Sequence, residues 1–323
     1  MKFRTEVKIS PFKHPIALTE KIVALGSCFA SELAEALASR NLRVLCNPLG
    51  PLYNPLSIAS AIERAVQGKT FTAEEIATNR EGDHFSFDAS THFTDPSCEE
   101  LLTRLNATNN HLRDALHEAD RIILTFGTAW VYRLAATNEV VANCHKEPAT
   151  TFRRERLSVS EIVERWKALL QGPLADKQII LTLSPIRHLG DGLDGNAISK
   201  ATLRLAIEEL ASACPNVTYF AAYELLLDDL RDYRFYAEDL VHPSRQAVTY
   251  ILERFTEAAF TALDRAYLAR IERALAFCHH RPTNPQAAGY RQGVKQTLVE
   301  LRALEEEAKI DFSAQIQALE ALL

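Results

Sequence analysis

A chain of 323 residues, 47% of them hydrophobic, can bury a full core as one large domain or as one domain with a helical appendage. Its formal charge of -6 and the lack of a long basic run exclude the electrostatic footprint that a nucleic-acid partner requires. No apolar run reaches the roughly 18 residues of a membrane span, and the charged N-terminal stretch has no signal-peptide core, so the expectation is a cytoplasmic protein with no membrane partner.

In chain order, residues 1–20 carry Pro11, Pro15 and alternating charge, which predicts an irregular arm. An apolar strand follows over 21–25 and stops at Gly26-Ser27, ahead of an amphipathic helix over 31–40 with Leu33, Ala34, Leu37 and Ala38 on one face. A strand over 42–46 ends in a turn-rich loop, 47–55, where Gly50 can bring a backbone amide close to a ligand. Residues 55–66 predict a helix. Residues 79–98 alternate polar with aromatic side chains, which suits a short hairpin or a loop near a pocket, with a surface excursion as the plainer reading. After a helix at about 99–117, the run from Arg121 to Phe126 predicts a buried strand leading to Gly127-Thr128-Ala129-Trp130.

Residues 139–146 predict a strand with a polar cluster at its end, where Cys144 stands beside His145. Adjacent strand residues face opposite ways, so this pair cannot serve one ion, and no metal site is expected. The six cysteines form no CxxC pair, which fits reduced thiols. A helix over 159–170, capped by Ser158, leads to a strand over 178–183 that ends in Ser184-Pro185-Ile186-Arg187-His188. A long loop with Gly190, Gly192 and Gly195, a helix over 199–211, a strand over 217–221 and an acidic helix over 224–230 follow. Asp239 and His242, three apart on one turn, can approach each other; Asp239 can equally cap the helix beginning near Ser244. Residues 245–280 predict one or two long helices, 281–285 a break, and 288–323 two more helices. This tail either packs on the preceding domain or forms a homodimer surface.

Alternation of strands and helices from 21 to 255 implies a parallel sheet covered on both faces, with sites outside the carboxyl ends of the strands. Ser27, Gly50, Gly127, His145, His188 and the Asp239–His242 pair all follow predicted strands, directly or through a helix and loop. Ser27 is the candidate nucleophile, because a strand turning sharply into a helix presents unpaired amides and a positive dipole end. The competing reading is a plain serine helix cap.

These stretches resemble the GSCFA family, a branch of the SGNH (GDSL-type) hydrolase superfamily, over about residues 20–250. The motifs that carry the resemblance are Gly26-Ser27-Cys28-Phe29-Ala30, Asn47-Pro48-Leu49-Gly50 with Asn54-Pro55, Gly127-Thr128-Ala129-Trp130, Asn143-Cys144-His145-Lys146, Ser184-Pro185 with His188, and Tyr236 through Pro243. The resemblance implies a flavodoxin-like, doubly wound α/β/α fold over residues 1–255, with a helical C-terminal extension over 256–323. It implies a serine esterase acting on a small-molecule ester, such as an O-acyl sugar, with no cofactor. Ser27 would attack the acyl carbon, His242 would take its proton and Asp239 would hold the imidazole.

The oxyanion donors implied by the superfamily map onto the Ser27 amide, Gly50 and the Gly127-Thr128-Ala129 stretch. Two positions depart from its pattern: Gly26 directly precedes Ser27 where Gly-Asp-Ser is usual, and Ala129 stands where an asparagine is usual. Losing one such donor costs on the order of 10² to 10³ in rate. The expected replacements are Asn143, Thr128 and His145, in that order. Asn54, His145 and His188 are further candidates for substrate contact, and the two histidines for alternative bases. Competing readings are acyl transfer by the same triad, a Cys28 thiolate nucleophile, and a binding protein without turnover.

Overall fold

The structure, a computed structural model, describes residues 5–284 and 286–323; the first four positions of the predicted arm and Pro285 of the predicted break lie outside them. Five strands form the central sheet: β1 (Lys21–Gly26), β2 (Arg43–Cys46), β3 (Arg121–Phe126), β4 (Gln178–Leu183) and β5 (Val217–Phe220). Their order in space is β5-β4-β3-β1-β2, and every pair is parallel. The winding direction therefore reverses between β1 and β3, which opens a crevice at the carboxyl ends of those two strands.

Six helices follow these strands or precede them: α1 (Cys28–Ala38), α2 (Pro55–Val66), α3 (Cys98–Glu118), α4 (Val159–Gln171), α5 (Gly192–Ala213) and α6 (Arg245–Ala259). Strands buried on both faces read as near-continuous apolar runs, which is why β3 and β4 are legible as strands. In β1 the faces alternate. Val23 and Leu25 join Ile58, Trp166 and Leu203 in one core, whereas Ile22 and Ala24 join Phe29, Leu33 and Phe255 in the other. Ser158 caps α4 through a reciprocal capping box with Glu161, as its sequence predicts.

The remaining helices are α7 (Ala262–His279), α8 (Ala288–Ala308) and α9 (Ser313–Glu320). Leu268, Ile271, Leu301 and Phe312 belong to the same buried cluster as Leu33 and Leu37 of α1. The Asn41 carboxamide donates to the Asp311 carbonyl at 2.9 Å, and Arg40 pairs with Glu272 at 2.6 Å. The tail thus packs against the α1 face of the sheet. Among the described residues no helix is long and apolar enough to cross a membrane.

Several predicted elements are redrawn. The first helix starts at Cys28, three residues before its apolar pattern, because Ser27 caps it. Residues in the 79–98 stretch pair with Ile76–Thr78 in a three-stranded antiparallel sheet through His84–Ser86 and Thr94–Asp95. The predicted strand over 139–146 shrinks to Val140–Val141, which pairs with Trp130–Leu134 in a second small sheet. Cys144 and His145 lie beyond that strand, with His145 at φ +46°, so strand geometry does not govern them. The glycine-rich loop is shorter than predicted: α5 begins at Gly192, and Gly195 lets its first turn close on Asp191, whose Cβ a side chain there would meet at 2.5 Å. The predicted helix over 224–230 is wound as a wide π-type turn over Leu225–Leu230.

Candidate active site

β1 ends at Gly26 with φ +139°, and a Cβ there would lie 2.2 Å from the Thr125 carbonyl oxygen. Only glycine allows β1 to run this close to β3 and turn directly into α1. Ser27 follows with 1% of its surface exposed, and its Oγ accepts from the Phe29 N–H at 3.3 Å. Its own N–H donates to the Thr125 carbonyl at 3.1 Å. The Ala30 N–H donates to the Ser27 carbonyl at 2.8 Å, so of the amides of residues 27–30 that of Cys28 is left without an acceptor among the described residues.

Asp239 and His242 lie on the loop between β5 and α6. The Nδ1 of His242 is 2.6 Å from Oδ2 of Asp239, while Oδ1 accepts from the Val241 N–H at 2.9 Å and the His242 N–H at 3.0 Å. The His242 amide, its imidazole and the Val241 amide together hold the Asp239 carboxyl down at about 2. The loop is closed by a bridge between Tyr236 and Pro243 and fastened to the end of β4, where the Arg187 N–H donates to the Val241 carbonyl at 3.2 Å. Asp239 does not cap α6: Ser244 does, accepting from the Ala247 N–H at 3.3 Å.

Ser27, Asn54, Thr128, Asn143, His188 and His242 share the wall of one cavity of about 550 Å³. A larger groove of about 850 Å³ lies elsewhere, between α2 and the small sheets. It holds none of the candidate residues, and several of its charges are paired, as in Arg64 with Glu75 and Arg165 with Glu63. Within the smaller cavity no hydrogen bond joins Ser27 to His242 among the described residues, and the serine hydroxyl serves α1 instead.

The predicted oxyanion donors are mostly committed to other partners. Gly50 is absent from the cavity wall: its N–H donates to the Asn47 carbonyl at 2.8 Å, and at φ +82° its missing Cβ makes room for Ser90 Oγ. The Gly127 and Thr128 amides both donate to the Tyr53 carbonyl, at 2.8 and 2.9 Å, and the Ala129 amide donates to Ser199 Oγ at 2.8 Å. Thr128 Oγ1 lies 3.2 Å from Ser199 Oγ and accepts from the Trp130 N–H. Asn54 spends its carboxamide capping α2, with Oδ1 accepting from the Ser57 N–H and Nδ2 donating to Ser57 Oγ. Asn143 keeps its NH₂ group, since only its Oδ1 is used, by the His145 N–H at 2.8 Å. His145 is withdrawn from the site: its ring stacks on Phe85 at 4.3 Å, Nε2 lies 3.0 Å from the Ala89 carbonyl, and burial pushes its pKa down.

Two thiols also face the cavity. Cys28 Sγ is 3.6 Å from the Tyr53 hydroxyl, whose pKa burial and the neighbouring thiol push up to about 12, so the phenol stays protonated. Burial pushes the Cys144 thiol up to about 11.

Two features of the site escape the sequence reading. Lys200 is 2% exposed, and its ammonium donates to the carbonyls of Gly127 and Ser184, each at 2.7 Å, which ties the ends of β3 and β4 together. Burial pushes its pKa down to about 7. The spacing of Ser199, Lys200, Leu203 and Ile207 puts the lysine on the apolar face of its helix, and that signal is readable in the sequence. The second concerns His188, itself a candidate from the sequence: its Nε2 is buried without a partner among the described residues, which the sequence does not show.

A family profile described as the GSCFA family matches residues 21–255, and one described as the GSCFA domain protein, C-terminal domain, matches residues 268–323. The chain belongs to the GSCFA family. No curated protein and no solved structure matches it.

Proposed function

We propose that this member of the GSCFA family is a serine hydrolase of the SGNH type that cleaves a small ester in the cavity beside Ser27. The observation that carries this reading is the Asp239–His242 pair at 2.6 Å, on the wall of the cavity that Ser27 lines. The carboxylate accepts from Nδ1–H, which fixes the tautomer and leaves Nε2 as the proton acceptor. The cavity's 550 Å³ falls inside the usual range for a small-molecule site, about 300 to 1,000 Å³.

In this mechanism the Ser27 hydroxyl turns from the Phe29 amide toward His242. Its oxygen bonds to the acyl carbon as the proton passes to Nε2 and the carbonyl π pair moves onto oxygen. Collapse of that intermediate expels the alcohol, which takes the proton back from His242, and water then repeats the sequence on the acyl-enzyme. The His242 side chain is 48% exposed, which supports water over a second alcohol as the final acceptor. All six cysteines are unpaired, which supports a reducing compartment such as the cytoplasm.

The test is fluorophosphonate labelling of the pure protein, read by intact mass and peptide mapping. The expected result is one adduct on Ser27, absent from Ser27→Ala and His242→Ala. An unlabelled protein would support a ligand-binding role on the same scaffold, and an adduct on Cys28 a thiol mechanism; either would overturn the serine-hydrolase reading.

A further inference from the structure

We infer that His188 donates the hydrogen bond that stabilises the oxyanion formed at Ser27, acting from Nε2 as a neutral imidazole. This rests on the serine-hydrolase reading and assigns one oxyanion donor for that reaction. An oxyanion needs donors that are not already spent; the amides of Ser27, Gly50, Gly127, Thr128 and Ala129 all have protein acceptors, which leaves the Cys28 N–H, the Asn143 NH₂ group and His188 as uncommitted donors on the cavity wall. The Asn54 carboxamide is spent on α2. A buried polar atom with no partner, by contrast, carries a desolvation cost that demands an explanation, and His188 Nε2 is such an atom.

Its position supplies the explanation. A methyl group built on Gly127 would lie 3.2 Å from His188 Nε2 and 3.4 Å from Ser27 Cβ, so the glycine keeps open the gap that separates the two side chains. The ring is held edge-on against Tyr53 at 5.8 Å, and the His188 backbone amide is anchored by Asn196 Oδ1 at 3.0 Å. Burial above all, and then the facing Lys200, His242 and Arg154, disfavour a proton on the imidazole and push its pKa down to about 4. A ring so reluctant to accept a proton is a poor base at neutral pH, yet its N–H remains a full donor. Neutral imidazole polarises a carbonyl in this way in other enzymes. As the Ser27 Oγ–carbon bond forms and the carbonyl π pair moves to oxygen, Nε2–H donates to that oxygen without giving up its proton, while the serine proton goes to His242.

The experiment uses the full chain with p-nitrophenyl acetate as substrate and a fluorophosphonate as probe, comparing wild type with His188→Ala and His188→Gln. Removing one oxyanion donor is expected to lower kcat and the labelling rate by about 10²- to 10³-fold with little change in KM. Glutamine, which restores a donor, is expected to recover part of that loss, and the rising limb of the pH profile should stay where it is because His242 remains the base. If the alanine variant does not fold, His188→Leu against His188→Gln makes the same comparison. Alanine or leucine variants as fast as wild type, a glutamine variant no faster than them, or a displaced limb would overturn this assignment while Ser27 labelling stands. A wild type that does not label at Ser27 would overturn both this assignment and the hydrolase reading.

Discussion

Ser27 is 1% exposed at a strand-to-helix junction, whereas the Asp239 and His242 side chains across the cavity are each 48% exposed on a loop. The serine is placed by long-range structure: Gly26 against Thr125, the strand pairing of β1 with β3, and the start of α1. The pair is placed by short-range bonds within four residues, two backbone amides and one imidazole on a single carboxylate. One half of the candidate site therefore stands or falls with the fold, while the other can be altered with little disturbance to it.

Substitutions in each half test that contrast. The largest expected effect is Gly26→Ala, where φ +139° and a 2.2 Å approach to Thr125 combine strain with overlap. A loss on the order of 3–5 kcal/mol in urea denaturation is expected, with labelling lost alongside. Next is Lys200→Met, which leaves the buried carbonyls of Gly127 and Ser184 without their donor and should cost about 1–3 kcal/mol at pH 9. Its pH dependence has a definite sign. With the folded-state pKa of Lys200 pushed down to about 7 from 10.5, the unfolded chain binds more protons between those values. Wild-type stability from this group therefore rises from pH 7 toward pH 10.5, and the methionine variant should lack that slope.

The smallest effect on the fold is expected at Asp239→Asn, where the melting temperature at pH 7 should fall only slightly while labelling of Ser27 falls by up to about 10⁴-fold, as the imidazole loses its orienting carboxylate. Here the folded pKa is depressed, from 3.8 to about 2. The carboxylate's contribution is present above about pH 4 and disappears as pH falls toward 2, so acid titration of stability should be slightly flatter in the variant. A melting temperature that dropped as far as in Gly26→Ala would break the contrast between the two halves.

The elements of the central sheet were legible because a strand covered on both faces cannot hide its apolar run: β3 and β4 stand out for that reason. The Asp239–His242 pair was legible because its geometry is local in sequence. What could not be read were bonds made between distant segments. Gly50, Gly127 and Thr128 satisfy loop-like patterns for anion binding, but the Asn47 and Tyr53 carbonyls that claim their amides are visible only once the chain is folded. His145 looked like a rim residue because it follows an apolar run, yet aromatic stacking on Phe85 draws it away. The unpartnered Nε2 of His188 has no local signature at all, since an absence of partners depends on every neighbour at once.

The bond from the Phe29 amide to Ser27 Oγ gives the oxygen of the proposed nucleophile a structural duty as the cap of α1. Anything attached covalently to that oxygen competes with the helix for it, so modification and folding are thermodynamically linked at a single atom. An adduct-bearing protein should melt earlier than the unmodified one. On the serine-hydrolase proposal, Ser27→Gly, which loses little as a helix cap, is then a cleaner test variant than Ser27→Ala, which removes the proposed nucleophile and weakens the helix together.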